Sequence, residues 1–244
     1  MTIPAAAMED LEYKTRDHAL RSKDKYAWTK YEITARWLKG RVRAGMVLYN
    51  VGCGGGEFNH VAVAAGLKVI ACEPERSAFE RASGNRPPAN CEVRHCGLFE
   101  LATSDGPADI VVMHDVLEHI QDDEAAARHL RGLLKPGGRL IVSVPALQSL
   151  FGHHDRLLGH YRRYTKRSLE RVLESHFRVL RIRYFGFAFV PLVLWFSKWR
   201  KEAYPVEASA EGWKGRVLAA ICAVESRIPF PLGTSVIAEL EPRP

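Results

Sequence analysis

The first rhythm in the chain runs from Lys25 to Lys39, where the apolar positions Trp28, Tyr31, Ala35 and Leu38 recur at three- and four-residue steps. That spacing lays them along one helical stripe, which Gly40 closes. The pattern then changes to short apolar runs separated by amphipathic segments. "MVLYNV", "KVIACEP", "CEVRHC", "ADIVVMHDV" and "RLIVSVP" read as five strands. Between them, "EFNHVAVAAG", "ERSAFERASGN" and the segment from about Asp122 to Leu134 read as helices. Strands alternating with helices at this spacing predict βαβ units and a parallel sheet. Right-handed crossovers gather the loops that follow the strands on one edge, where such sheets bind ligands.

Farther on, Thr165 is a candidate N-cap for a helix through about Glu174, and "FRVLRIRYFGF" reads as a strand. Residues 187–199, "FAFVPLVLWFSKW", are nearly all apolar yet shorter than the ~18 residues a membrane span needs. Pro205 and the "EASAEG" run mark a loop. "WKGRVLAAICAVESR" carries Trp213, Val217, Ile221 and Val224 on one helical face, and "TSVIAEL" closes the chain as a strand. The expected organisation is one domain over 1–244, with a helical extension over 1–40 and a mostly helical apolar insertion over 184–230. That insertion is longer than a hairpin needs. It reads as extra core or a dimer face, or as an apolar substrate wall or membrane-surface contact flanked by Lys198, Arg200 and Lys201.

Composition changes this picture little. The chain has 244 residues, 47% of them hydrophobic and 26% charged, as in ordinary soluble domains. Its N-terminus lacks the basic and apolar regions of a signal peptide, and its five cysteines form no C-x-x-C pair. A reducing, cytoplasmic setting without structural zinc is expected. The formal charge of +7 is concentrated: from Phe151 to Ala203 twelve basic residues face four acids. Most of these belong to a solvated surface, and the remainder suit an anionic ligand.

The chemistry begins at "VGCGGG". Gly52, Gly54, Gly55 and Gly56 stand where a strand hands over to a helix. Such a turn lets a ligand rest on bare backbone amides. A dinucleotide fingerprint would need a small residue where Glu57 stands, and a P-loop would need a Lys-Ser/Thr pair that is missing. Glu73 closes the second strand, about twenty residues after the first glycine, where an acid can accept hydrogen bonds from ribose hydroxyls.

With "VIACEPE", "DIVVMHDVLEHI" and "LLKPGGRLIVSVP" following in order, the chain resembles the class I S-adenosylmethionine-dependent methyltransferases over roughly residues 26–183. The resemblance implies a Rossmann-like α/β fold: a seven-stranded, mostly parallel sheet with an antiparallel last strand and helices on both faces. It implies S-adenosylmethionine held by Asn50, Gly52, Cys53, Gly54, Gly56, Glu73, Leu98, His114, Asp115 and Val116. Of these, Glu73 would hold the ribose, the 96–98 turn would lie near adenine, and His114 to Val116 would sit beneath the sulfonium. The family commonly has an acid where this chain has Asn50, and often an Asp where Gly97 or Leu98 stands.

Methyl transfer needs an acceptor aligned with the methyl group and, for a hydroxyl acceptor, a base. His119 follows the fourth strand on the ligand edge. The segment "FGHHDRLLGHYRRYTKRSL" gathers histidines, arginines and tyrosines into one loop. Related small-molecule methyltransferases carry a similar histidine-containing segment there, matching His160, Tyr164 and Thr165. His119, His154 and His160 are the candidate bases, with Asp155, Tyr161 and Arg163 as acceptor-side residues. Asp155, next to a histidine, could fix its tautomer. No Cys/His spacing looks like a zinc site, so no metal is expected. The expected substrate is a small amphipathic or anionic molecule methylated on a hydroxyl or carboxyl oxygen. RNA or protein methylation, and a cofactor-binding partner subunit inactive alone, are the alternatives; no RNA-binding module signature is present.

Overall fold

The structure is a computed structural model that describes residues 24–84, 86–101, 106–200 and 212–244. The polar segment 1–20 and the Pro205 loop lie outside the described residues.

The expected strands form around a run of buried apolar residues in each. β1 is Val47–Val51, β2 Lys68–Cys72, β3 Cys91–Arg94, β4 Ala108–His114, β5 Leu134–Pro145, β6 Phe177–Phe185 and β7 Ser235–Pro242. They build one sheet in the order β3-β2-β1-β4-β5-β7-β6. The first five strands run parallel, and β7 is antiparallel to both β5 and β6. The order reverses between β1 and β4, which opens a crevice beyond their carboxyl ends.

Alternation along the strands feeds two cores, one on each face. Val111 and Met113 of β4 pack with Leu117, Leu130, Leu133 and Tyr164, while Ile110 and Val112 pack with Tyr31, Leu38, Phe58 and Phe185. Both faces are therefore covered, as a parallel sheet requires.

The first core is roofed by α4 (Asp123–Leu133) and α6 (Lys166–Leu173); α2 (Glu57–Ala64) and α3 (Arg76–Gly84) follow β1 and β2. Thr165 caps α6 as expected, its hydroxyl accepting from the Ser168 amide at 3.0 Å. α5 (His153–Leu158) is short and lies in the loop after β5.

Helix α1 (Lys25–Leu38) is capped by Asp24, which accepts from the Tyr26 amide at 2.8 Å. Its buried face differs from the expected stripe. Ala27, Lys30, Tyr31, Thr34, Trp37 and Leu38 point inward, whereas Ala35 is exposed and Trp28 only half-buried. The rotation brings Lys30, a charged residue, into the protein, where it pairs with Asp115.

The insertion begins at Gly186, because Tyr184 and Phe185 belong to β6. The Glu225 carboxylate secures its start by accepting from the amides of Phe187 at 2.8 Å and Ala188 at 2.9 Å, and from Gly186. A short helix, α7 (Val190–Trp195), and a wider turn over Phe196–Arg200 follow. α8 (Gly212–Arg227) packs on α1. Arg183 satisfies its terminal carbonyls, donating to Ser226 O at 3.2 Å and Ile228 O at 2.7 Å. The face of α8 bearing Trp213, Val217 and Val224 turns outward, while Cys222, Glu225 and Ser226 face the domain. No helix among the described residues is long and apolar enough to cross a membrane.

Candidate active site

The crevice beyond β1 is lined by bare backbone. Gly52, Gly54 and Gly56 hold φ of 65°, 58° and 87°, a region side chains disfavour. A Cβ at Gly52 would also stand 2.4 Å from Val116 Cγ2. Gly54 donates its amide to Glu73 Oε2 at 2.8 Å, and Glu75 donates to Oε1 at 3.0 Å. Glu73 is thus tied to the glycine loop from the neighbouring strand. A carboxylate offers about four acceptor positions, so two amides do not exhaust it. Asn50 anchors the loop from below, donating Nδ2 to Asn59 Oδ1 at 2.7 Å. Burial first, then the Glu73 charge, pushes the Cys53 thiol up, so it stays protonated at neutral pH. Leu98 is buried within the first core in the turn after β3.

The end of β4 forms the opposite wall. His114 is buried, with Nε2 3.2 Å from the Thr34 hydroxyl and Nδ1 3.1 Å from the Ser143 hydroxyl. Tyr31 and Phe58 pack on its ring at 5.3 Å. Asp115 adopts φ of 56°, unusual for a residue with a side chain, and is held there by Lys30 and by Ser143 Oγ at 3.2 Å. Sequence reasoning missed Lys30, Thr34 and Ser143. Lys30 had left a trace: it shares the helical face of Ala27, Tyr31 and Thr34, where a charge without a partner would be costly.

On the acceptor side, the loop after β5 folds back onto the turn after β4. Tyr161 donates its amide to Glu118 O at 2.8 Å, which seats His160 beside Leu117–His119. The rings of His119 and His160 stand 4.6 Å apart, nearly perpendicular. His160 Nε2 lies 3.9 Å from Glu118 Oε1, and its Nδ1 lies 2.9 Å from Asp155 Oδ1. The Glu118 side chain is fully buried, whereas His119 is exposed. The histidine that Asp155 orients is therefore His160 rather than its neighbour His154, which is buried in the first turn of α5.

Asp155 also accepts from Arg163 Nε at 2.7 Å and from the Gly152 amide at 2.9 Å. Burial alone would raise its carboxyl; the His160 hydrogen bond and the Arg163 guanidinium outweigh that and hold the pKa at about 2. With side-chain exposures of 1% and 3%, Asp155 and Arg163 are paired inside the loop and brace it. Tyr161 is exposed, with the Arg162 guanidinium over its ring. No metal pattern was visible in the spacing, yet one ligand atom each from Glu118, His119 and His160 lie within 4.8 Å of one another.

A family model described as a methyltransferase domain matches residues 29–179. An uncharacterized methyltransferase of Mycobacterium leprae is 30% identical over 128 residues, covering 51% of this chain and 47% of that protein. A ubiquinone biosynthesis O-methyltransferase of Xanthomonas oryzae is 34% identical over 103 residues, covering 41% of this chain and 43% of that protein. The chain thus spans about half the length of the relatives it matches. In structure it is similar to the N-methyltransferase NodS of Bradyrhizobium japonicum in complex with S-adenosyl-L-homocysteine. That likeness has a TM-score of 0.58 at 12% identity and covers 91% of this chain and 89% of that one. The chain belongs to the S-adenosylmethionine-dependent methyltransferase family, and the glycine cradle with Glu73 beside it is the candidate seat for that cofactor.

Proposed function

We propose that this protein transfers a methyl group from S-adenosylmethionine to a hydroxyl oxygen of a small amphipathic molecule. The observation that carries this reading is the Glu118–His119–His160 cluster on the ligand edge. Its Glu118 and His119 follow Val116, the residue packed against Gly52, by two and three positions. A neutral amine attacks through its own lone pair and sheds a proton only after methylation, and a carboxylate has none to lose, so a carboxylate–histidine cluster is best matched to a hydroxyl. The likeness to an O-methyltransferase supports the same choice of atom.

When bound, S-adenosylmethionine supplies a methyl group on a sulfonium, already activated for in-line displacement. The residues of the chain do the rest. Gly52, Gly54 and Gly56 give the cofactor a backbone bed, and Glu73 accepts from its ribose. Lys30 fixes Asp115, and with it the wall beneath the reacting centre. The histidine cluster makes the acceptor oxygen anionic. The insertion lies against the acceptor loop: α7 packs beside Gln148–Leu150, and a Cβ at Gly152 would meet Ser197 Cβ at 2.5 Å. Its exposed Phe187, Leu192, Trp195 and Trp199 supply apolar surface beside that loop, which supports an acceptor with an apolar portion.

The test is methyl transfer from labelled S-adenosylmethionine to a panel of phenols, catechols, hydroxy-lipids, carboxylic acids and amines. Hydroxyl acceptors should turn over. His119→Ala and His160→Gln should each lower kcat by ~10²–10⁴-fold, the usual range for an acid–base contribution, with S-adenosylhomocysteine affinity unchanged. Turnover confined to amines, or variants within threefold of the parent, would refute the reading.

A further inference from the structure

We infer that Glu118, His119 and His160 form a binding site for one divalent first-row transition-metal cation, such as Zn²⁺ or Mn²⁺, at the acceptor side of the crevice.

The donor atoms are of the right kind and are already gathered. Two imidazoles and one carboxylate present atoms within 4.8 Å of one another, drawn from the turn after β4 and the loop after β5. Two imidazoles and a carboxylate on one side of an ion, with positions left open, are a set that first-row cations accept, whereas Mg²⁺ favours oxygen ligands. His160 Nε2 and Glu118 Oε1 are 3.9 Å apart, beyond hydrogen-bonding distance. With metal–ligand bonds of ~2.0–2.2 Å, neighbouring ligands of one tetrahedral ion sit about 3.3 Å apart. For this pair closing the difference takes roughly half an ångström, and for the widest separation in the cluster up to about 1.5 Å, which a change of rotamer at the exposed His119 can supply.

The polarity of His160 points the same way. Asp155 is a carboxylate, also satisfied by Arg163 and the Gly152 amide, so the Nδ1 facing it at 2.9 Å carries the hydrogen. His160 Nε2 faces the buried Glu118 carboxylate. A hydrogen-bonded carboxylate behind a histidine is the arrangement that orients metal-ligating imidazoles and raises their basicity. The three ligand groups together carry one negative charge when the imidazoles are neutral, which suits a dication. Exposed His119 leaves the cluster open to solvent, so ions can enter and an acceptor oxygen can occupy an open position.

The role of the ion rests on the oxygen-methylation reading, though its binding does not. A hydroxyl coordinated to the cation becomes more acidic and yields its proton to water, so with the ion bound the two histidines act on the acceptor as ligands, in place of the direct proton acceptance proposed above. The decisive measurement is calorimetric titration of chelator-treated protein with ZnCl₂, and separately MnCl₂, without cofactor or acceptor. One ion per chain should bind with Kd of ~10 μM or tighter. His119→Ala, His160→Gln and Glu118→Gln should each weaken binding by at least tenfold, and His176→Ala should not; circular dichroism checks folding. His119 is exposed, so its variant tests the site even if Glu118→Gln fails to fold. Absence of saturable binding below ~1 mM, or binding retained in His119→Ala and His160→Gln, would overturn the site. With an acceptor in hand, chelation should cut kcat at least tenfold and added metal should restore it. Methylation indifferent to chelator would overturn the activating role. Absence of methylation with every oxygen acceptor would instead overturn the proposed function, leaving the binding result standing.

Discussion

Asp155→Asn should lower the unfolding free energy by about 3–5 kcal/mol, the usual cost of removing one partner from a buried ion pair. The size follows from what the carboxylate holds. It accepts from Arg163, His160 and the Gly152 amide inside a loop with almost no solvent access. An asparagine keeps the shape and strands the guanidinium. The same substitution should change how stability depends on acid. The folded carboxyl has a pKa of about 2, below the ~3.9 of an unfolded aspartate. Its contribution is therefore fully present above pH ~4 and is lost as the pH falls toward 2, amounting to roughly 2–3 kcal/mol. Urea unfolding at stepped pH values measures both effects. A loss under 1 kcal/mol with an unchanged acid limb would show that the pair does not hold the loop.

Glu73→Ala should weaken S-adenosylhomocysteine binding by 10²–10³-fold. Hydrogen bonds to a charged acceptor contribute about 1.5–3 kcal/mol each, and a ribose offers two hydroxyls. The variant also releases the Gly54 amide that Glu73 now holds at 2.8 Å, so the glycine bed loses a tether. Glu73→Gln keeps an acceptor for that amide and should lose only about tenfold. Calorimetry reads both affinities, and a Kd for Glu73→Ala within threefold of the parent would remove Glu73 from the cofactor site.

The sheet was largely legible in the sequence, because strands buried on both faces appear as apolar runs with turn residues between them. The glycine bed and Glu73 were legible for a related reason: local chemistry there is dictated by adjacent residues. What could not be read was orientation between distant segments. The face of α1 was misjudged because an apolar count gives Lys30 no place inside, and its place is made by Asp115, far along the chain. The histidine network was hidden similarly. Adjacency favoured His154 as the partner of Asp155, but Gly159, with φ of 77°, turns the chain back so that His160 reaches the same carboxylate. The Glu118–His119–His160 cluster joins two loops whose separation follows no short motif. The outward face of α8 shows the converse limit, since an apolar stripe alone does not say which neighbour, if any, it will meet.

The contact between Gly152 and Ser197 has a consequence for how such a protein can diverge. The turn over Phe196–Arg200 sits where any side chain at 152 would be, and residue 152 opens the loop that sets His160. Neither segment can be re-spaced alone without pushing on the other. The proposed cofactor bed, by contrast, hangs from β1, β2 and β4 and among the described residues shares no part of this seam. Changes of acceptor preference should therefore travel as linked blocks, residues 152–165 together with 187–200, inherited as a cassette on an unaltered nucleotide-binding half.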